Sequence, residues 1–342
     1  MQLSDFHYNT PEKLIAAHPP KVRGEARLLV LDRQTGEITD RMYPNLVEYL
    51  EAGDCLVIND TKVIKARLIA HKPSGGEREL VLVEKHGAAE DWFRHKVIYR
   101  RKLKVGDELL IGDDTLIVEE ICGDGIAVVR ANRDLLDIAD EHGSVPLPPY
   151  MNRIATTDDI ERYQTVFARE KGSVAAPTAS LNMTKETLQK LKDKGVNVVY
   201  ATLHVGLGTF LPIRVDDVTT HKMHQEYFEI PEETVAAIQA AKQSGHRVVA
   251  LGTTITRTLE YAHDKILNQK PARITGEADI FIYPGYEFKT IDGLLTNFHM
   301  PESTVLMLTA AFAGWNHLRP AYEHAVAEKY HFFSYGDSML II

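Results

Sequence analysis

The second half of the chain, from about residue 155 to 342, alternates short apolar runs with longer segments whose apolar residues recur at helical spacing. The runs VNVVYATLHV and HRVVALG are each preceded by a helix-like segment, TKETLQKLKDKG and PEETVAAIQAAKQSG. A strand that is apolar on both sides must be covered on both sides, and the intervening helices provide that cover. This alternation predicts a largely parallel α/β sheet with helices on both faces.

The stretch from about 62 to 150 has a different pattern, because strand-like runs follow one another directly. The runs are ARLIAHK, ELVLVEK, WFRHKVIYR, DELLIG, TLIVEEI and IAVVRA, with SGGE, KVGD, GDD and GDG as turns. Many short strands at this spacing predict a small barrel or sandwich, which the prolines of PLPPYM bring to an end. Before it, Thr10 and Pro11 predict the start of a helix, and GDCLVIND predicts a buried strand that ends at Asn59 and Asp60.

Composition limits the class of protein. The 342 residues carry a net charge of −9 and two cysteines, Cys55 and Cys122, in dissimilar contexts. The acidic balance is unlike that of a general nucleic-acid binder, and two such cysteines fit a reducing compartment. The first residues lack the apolar core of a signal peptide, and no run approaches the ~18 apolar residues of a membrane span. These features predict a cytoplasmic protein without a membrane partner.

Three predicted strands end in loops that favour ligand binding. The loops are LHVGLGTF, LGTTITRTLE and TNFHMPEST. Ligands of such sheets bind beyond the carboxyl ends of the strands, where glycines allow close approach and free N–H groups at helix starts bind anions. Each loop alone is equally explained by a tight turn or a helix cap. Together the three loops predict one ligand cleft.

Two histidines are candidates for proton transfer. His204 and His299 each end a predicted strand, beside a glycine or a helix start, and imidazole titrates near neutral pH. The alternative for each is a hydrogen-bonded core or capping histidine. A second grouping, His221, His224 and Glu226, has the residue types of a metal site but no further ligand, so we expect no metal.

One basic run stands out in this acidic chain. It covers residues 94–104 and contains Arg94, Lys96, Arg100, Arg101, Lys102 and Lys104. On a barrel, these side chains would form a face able to contact phosphates. The alternative is a solvated strand edge that its charges protect from pairing with other chains.

A series of motifs along the chain resembles one known family. The motifs are LIAAHPPKVRGEARLLVLDR, GDCLVINDTKVIKARL, PLPPYMNR, RYQTVFA, APTASLNMT, TLHVGLGTFLPI, MHQEYF, GTTITRTLE, FIYPGYEFK, TNFHMPESTVLM and FFSYGDSMLI. In this order, from about residue 5 to 342, they are similar to the S-adenosylmethionine:tRNA ribosyltransferase-isomerase family of queuosine biosynthesis. The resemblance implies a three-layer α/β/α domain formed by residues 1–61 and 151–342, with residues 62–150 as an inserted β-barrel domain.

The resemblance also implies a reaction. The family transfers and isomerises the ribosyl part of S-adenosylmethionine onto 7-aminomethyl-7-deazaguanine (preQ1) in tRNA, giving epoxyqueuosine-tRNA, adenine and methionine. The expected partner is therefore tRNA with preQ1 at the anticodon wobble position. S-adenosylmethionine is the expected co-substrate, no metal is expected, and the expected oligomeric state is a monomer.

Site residues follow by analogy with the family. His204 and His299 become the candidates for proton transfer on the ribose. The candidates for the binding cradle are Thr178, Asn182, Gly206, Gly208, Thr209, Thr253, Thr254, Arg257 and Asn297.

The chain departs from the family pattern at several positions. It has PTASLNMT where relatives usually have PTAGLHFT, so that Ser180, Asn182 and Met183 replace glycine, histidine and phenylalanine. Further departures are Ala26, Ile255 and Thr256. Asparagine cannot shuttle a proton at neutral pH. Two alternatives therefore stay open: a diverged paralogue that acts on another acceptor, and a non-catalytic protein that binds nucleosides or RNA.

Overall fold

The computed structural model of the chain describes residues 1–87, 91–206, 213 and 215–342. Its strands are β1 (Arg27–Leu31), β2 (Ile38–Met42), β3 (Cys55–Asn59), β4 (Thr61–Val63), β5 (Arg67–His71), β6 (Glu77–Leu82), β7 (Arg94–Tyr99), β8 (Glu108–Ile111), β9 (Asp114–Gly123), β10 (Ile126–Ala131), β11 (Glu170–Ser173), β12 (Asn197–Leu203), β13 (Glu226–Ile230), β14 (Val248–Leu251), β15 (Ile274–Ala278), β16 (Gly293–Asn297) and β17 (Ser338–Ile341). Its α-helices are α1 (Leu46–Tyr49), α2 (Leu135–His142), α3 (Thr157–Arg162), α4 (Lys185–Lys194), α5 (Glu232–Gln243), α6 (Thr253–Tyr261), α7 (His263–Asn268), α8 (Thr304–Ala313) and α9 (Trp315–Ala327).

The main sheet has the strand order β15-β13-β12-β3-β14-β16-β17-β1-β2. Its centre, β12-β3-β14-β16, is parallel, as the alternation of strands and helices predicts. Antiparallel pairs flank this centre, because β1 and β2 form a hairpin and β13, β15 and β17 run against a neighbour. The predicted α/β class is confirmed, but the sheet, which the sequence predicts to be largely parallel, is mixed, because antiparallel pairs are as frequent as parallel ones.

Alternate residues of each strand build two separate cores, one on each face of the sheet. In β3, Cys55 and Val57 pack on the face covered by α5, α6, α8 and α9, whereas Leu56 and Ile58 pack on the face covered by α1 and α4. Because successive residues of a strand face opposite sides of the sheet and both sides are covered, these strands are apolar at successive positions. Sheet and helices therefore form the three layers implied by the resemblance.

The remaining short strands form a closed antiparallel barrel in the order β10-β7-β6-β5-β8-β9. In β7, His95 and Val97 are buried, and Arg94 and Lys96 are exposed, as the wall of a filled barrel requires. The barrel strands lie within the predicted segment 62–150. The exact domain boundaries stay a prediction. Among the helices of the described ranges, none is long and apolar enough to cross a membrane.

One predicted helix is absent. The segment after Thr10 and Pro11 forms only a 3-10 turn, Glu12–Leu14, and then continues in extended conformation. Its backbone pairs with a distant segment: Ala16 N–H donates to the Phe332 carbonyl, and Phe332 N–H donates to the Leu14 carbonyl. Tertiary pairing therefore overrides the local helix-start signal.

Candidate functional site

A cleft with about 720 Å³ of space between protein atoms, part of it open to solvent, lies at the carboxyl ends of β12, β14 and β16. Its lining comprises Tyr150, Ala176–Ala179, Val205, Gly252–Thr254, Thr296–Met300, Ser303, Val305, Phe333 and Ser334. The three loops that the sequence singles out thus contribute to one cleft, through Val205, Gly252–Thr254, Asn297–Met300 and Ser303.

Side chains at the strand ends hold these loops together. The Asn59 amide nitrogen, at the end of β3, donates to the Leu203 carbonyl and to the Thr254 hydroxyl, over 3.1 and 3.4 Å. Gly252 N–H donates to the Leu295 carbonyl and fixes the loop after β14 against β16. Gly252 adopts φ 95°, a conformation that favours glycine, and the chain can therefore turn sharply from β14 into α6.

His299 lines the cleft and is the main proton-transfer candidate there. Its Nε2 lies 2.9 Å from the Thr296 hydroxyl, and its backbone N–H donates to the Tyr322 hydroxyl. Burial lowers its pKa from the ordinary 6.5 to about 3, so the ring is neutral at physiological pH. A neutral imidazole can accept a proton but is not a ready-charged acid.

His204 lies behind the cleft rather than in its lining. Its side chain is 2% exposed, its Nδ1 is 2.8 Å from the Thr61 hydroxyl, and its ring stacks on Tyr227 at 6.0 Å. Burial, with the positive charges of Lys85 and His86 as smaller causes, lowers its pKa to about 3. The structure thus brings the neighbouring Val205 into the cleft but not His204 itself.

Thr178 and Asn297 form a polar pair on the cleft wall. The Thr178 hydroxyl donates to the Asn297 side-chain oxygen over 3.1 Å, and both residues line the cleft. Asn297 is also anchored from behind, because its amide nitrogen donates to the Asp337 carbonyl. Such a pair can exchange hydrogen bonds with ribose hydroxyls or with the edge of a base.

A second, more apolar lobe adjoins the cleft. It is lined by Met223, Thr253, Thr254, Arg257, Ile280–Ile282, Thr304, Val305 and Leu308. Thr253, Thr254 and Val305 line both lobes. These three residues form the waist between the lobes, and the predicted cradle residues Thr253, Thr254 and Arg257 all belong to this region.

The Arg257 side chain is paired with the Glu226 carboxylate, and both groups are buried. Gly206 N–H donates to the same carboxylate over 3.2 Å. Glu226 therefore joins an arginine rather than His221 and His224, and His221 instead packs on Phe281. Gly206 has its own steric role, because a Cβ at this position would collide with the Glu84 carboxylate.

Asn182 points away from the cleft. Its amide nitrogen donates to the Gly336 carbonyl and the Ser338 hydroxyl, over 2.9 and 3.1 Å, and so ties its loop to the start of β17. The other departures from the family pattern are buried as well, and none lines either lobe: Ala26, Ser180, Met183, Ile255 and Thr256. The predicted cradle residues Gly208 and Thr209 lie outside the described residues.

The aromatic side of the cleft was not predicted from the sequence. The Tyr150 ring packs against Phe333 at 5.1 Å, and its hydroxyl pairs with Ser334. Phe333 has φ 72°, a conformation that costs a non-glycine residue about 1–3 kcal/mol and is common at functional sites. The prolines around Tyr150 predicted only the end of the barrel segment. No sequence pattern predicts that a phenylalanine will adopt the left-handed backbone conformation.

The basic run on the barrel is partly neutralised by acidic neighbours. Arg94 and Arg130 both bind Glu119, at 2.7 and 2.6 Å. Arg100 makes a looser contact of 3.5 Å with Glu79, and its side chain remains 78% exposed. Positive charge on this face is therefore concentrated around residues 100–104 rather than along the whole run.

Comparison with known proteins places the whole chain among relatives. A family model described as queuosine biosynthesis protein matches residues 3–341. Two curated proteins named S-adenosylmethionine:tRNA ribosyltransferase-isomerase, from Chlorobium phaeobacteroides and Chlorobaculum parvum, are each 54% identical to this chain, with 100% of both chains covered. One from Halothermothrix orenii, with the same coverage, is 47% identical. The crystal structure of an S-adenosylmethionine tRNA ribosyltransferase from Thermotoga maritima matches with TM-score 0.58 and 35% identity, over 99% of this chain and 100% of that one.

Proposed function

We propose, since the chain belongs to the S-adenosylmethionine:tRNA ribosyltransferase-isomerase family of queuosine biosynthesis, that it converts preQ1 in tRNA to epoxyqueuosine. The ribosyl part of S-adenosylmethionine is transferred and isomerised, and adenine and methionine are released. We further propose that the enzyme is a cytoplasmic monomer that needs no metal and recognises preQ1 at the wobble position. The observation that carries the proposal is the cleft beyond β12, β14 and β16, which contains His299 among neutral hydroxyl, amide and aromatic groups.

The lining suits a nucleoside that carries its own positive charge. Among the described residues of the first lobe, the ionisable side chains are His299 and Tyr150, and burial raises the pKa of Tyr150 to about 12. Both are neutral near pH 7. Thr178 and Asn297 offer hydrogen bonds to a sugar, and Tyr150 and Phe333 offer aromatic surface to a base.

The sulfonium group makes the reaction depend on proton transfer. Its positive charge acidifies the protons of the ribose carbon next to sulfur, and a base must remove one of them. His299 is the proposed base, because its neutral ring lies in the cleft and Thr296 fixes its orientation. Adenine needs a proton as it departs, and His299, once it has accepted the ribose proton, is the proposed donor.

The positions that depart from the family pattern support the same activity. Ala26, Ser180, Asn182, Met183, Ile255 and Thr256 lie in packing layers rather than in the cleft lining. A change of acceptor or a loss of catalysis would be expected to alter residues that touch substrate. These departures were the reason for considering a diverged paralogue or a non-catalytic binder. Because they lie outside the lining of both lobes, they no longer favour either alternative.

The decisive experiment is incubation of the purified protein with S-adenosylmethionine and preQ1-containing tRNA, followed by nucleoside mass spectrometry. Epoxyqueuosine should appear together with equimolar adenine. The matched control is the same tRNA with guanine at the wobble position, which lacks the aminomethyl nitrogen and should give neither product. Tight binding of both tRNAs without adenine release would instead support the non-catalytic alternative.

A further inference from the structure

Two helices begin at the waist between the two lobes. Thr253 and Thr254 are the first residues of α6, and Thr304 and Val305 are the first residues of α8. The first residues of both helices line the second lobe. Because the N-terminal end of a helix carries partial positive charge, two such ends at one place favour an anion between them.

Several N–H groups at these helix starts are unused. Within the part of the chain that the structure describes, Thr253, Thr254 and Ile255 donate no backbone hydrogen bond, and Gly252 provides no side-chain cap. In α8, the Ser303 hydroxyl caps Leu306 N–H. Thr304 and Val305 likewise donate no backbone hydrogen bond to any described residue.

The Thr253 side chain gives an independent indication of a ligand. It is only 9% exposed, it lines both lobes, and its hydroxyl has no hydrogen-bond partner among the described residues. The neighbouring Thr254 differs, because its hydroxyl accepts from Asn59. The side chain is nine-tenths buried and opens onto the cleft, so its hydroxyl, which has no partner among the described residues, is available to a ligand.

The surroundings distinguish between two sources of an anion. RNA phosphates are usually held by unpaired lysine or arginine side chains. Arg257, in the second lobe, is already neutralised by Glu226, and the rest of that lobe is largely apolar, including Met223, Phe281 and Leu308. This environment suits the carboxylate of a small molecule better than an RNA phosphate.

We propose that the waist formed by the starts of α6 and α8 binds the α-carboxylate of S-adenosylmethionine, with the Thr253 hydroxyl and the free N–H groups as donors. The inference rests on the proposed function and adds an orientation to it. The methionine part extends from the first lobe to the waist, where its carboxylate lies between the two helix starts. The nucleoside part lies in the first lobe, beside His299.

The test compares S-adenosylmethionine with decarboxylated S-adenosylmethionine, which differs only in the absent carboxylate. Calorimetric binding should show that wild type binds the decarboxylated compound at least about 10-fold more weakly, since hydrogen bonds to charged groups are among the strong ones. Thr253→Val keeps the side-chain volume and removes the hydroxyl. It should weaken S-adenosylmethionine by about 10- to 100-fold and leave the decarboxylated compound within about twofold of wild type.

Two further variants separate this role from a structural one. Thr253→Ser retains the hydroxyl and should restore the affinity for S-adenosylmethionine. Thr258→Val changes a buried threonine of the same helix that bonds the Thr254 carbonyl and lines neither lobe, and it should leave both affinities unchanged.

Specific outcomes would overturn the inference. Equal affinity of wild type for the two compounds would do so, as would an equal loss of both in Thr253→Val. A Thr253→Val protein that weakened only tRNA binding would assign the waist to an RNA phosphate instead. If wild type bound neither compound, the proposed function itself would fail and this inference with it, which is a result distinct from the others.

Discussion

At the scale of single residues, Asn182 shows that a change within a family motif can be architectural. The histidine usual at this position suggested a lost proton carrier, yet the Asn182 amide is buried and bonded to Gly336 and Ser338. It lies beside the start of β17 and does not line the cleft. A residue within a family motif can serve either packing or catalysis, and the contacts of its side chain indicate which.

Asn182→Ala should therefore reduce stability more than catalysis. The substitution leaves the Gly336 carbonyl and the Ser338 hydroxyl without this partner, which typically costs about 1–3 kcal/mol in a buried site. We expect that loss in urea unfolding, with kcat and KM for S-adenosylmethionine within about twofold of wild type. A variant with wild-type stability and a hundredfold lower kcat would return Asn182 to the catalytic machinery.

His299→Gln should act in the opposite way. Glutamine preserves polarity and approximate size but cannot take up a proton, so single-turnover adenine release should fall by about 10²–10⁴-fold. The control is His317→Gln, whose ring contacts the Arg33 carbonyl far from the cleft lining. Adenine release at the wild-type rate in His299→Gln would exclude this histidine as the base.

His204 should make stability depend on pH. Its folded-state pKa is depressed from 6.5 to about 3, so below pH 6.5 the unfolded chain binds a proton that the folded chain does not. The free energy of unfolding should thus be highest above pH 6.5 and decrease as the pH falls toward 3. Between about pH 7.5 and 5, His204→Gln should lose about 2 kcal/mol less stability than wild type in urea titrations.

At the scale of elements, the buried pair of Arg257 and Glu226 fastens α6 to the start of β13. The arginine also donates to the Ala278 carbonyl at the end of β15, so one side chain joins a helix to two strands. Removing the Glu226 carboxylate leaves the Arg257 charge buried without this partner.

Glu226→Gln should accordingly lower the free energy of unfolding by about 3–5 kcal/mol. The double variant Glu226→Gln with Arg257→Met should lose less than this, because the buried arginine charge is removed as well. Thermal and urea unfolding of the two proteins measure the difference. A double variant less stable than Glu226→Gln alone would show that the arginine contributes mainly through its other hydrogen bonds.

Elements that form through local signals were predictable from the sequence, and those that depend on distant partners were not. Helix α4 is marked by its Thr184 cap and by Gly195 in the left-handed conformation, and the structure contains both. The segment after Pro11 carried a similar signal and yet became extended, because its hydrogen-bonding partner is Phe332. For the same reason the three glycine- and threonine-bearing loops were found, but the aromatic wall of Tyr150 and Phe333 was not.

At the scale of the whole molecule, the barrel offers a positively charged face to the proposed tRNA partner. Replacing Arg100, Arg101 and Lys104 by glutamine should weaken tRNA binding and flatten its salt dependence by roughly one unit of slope for each phosphate that is no longer neutralised. The control is Arg94→Gln, whose charge is already compensated by Glu119, and which should change the slope less. If affinity and slope survive the triple substitution, the run is a solvated strand edge.

The position of β17 has a consequence for how the chain is made. β1 joins the main sheet through β17, with Leu28 beside Ser338 and Leu31 beside Ile341. While the ribosome is still translating the intervening residues, β1 lacks its partner β17, and its apolar unpaired edge is a template for association with other nascent chains. The barrel, whose strands are close in sequence, can close long before the sheet does. Synthesis of this protein therefore includes a prolonged interval in which a finished barrel is attached to an open sheet, and during this interval we expect the chain to depend on chaperones.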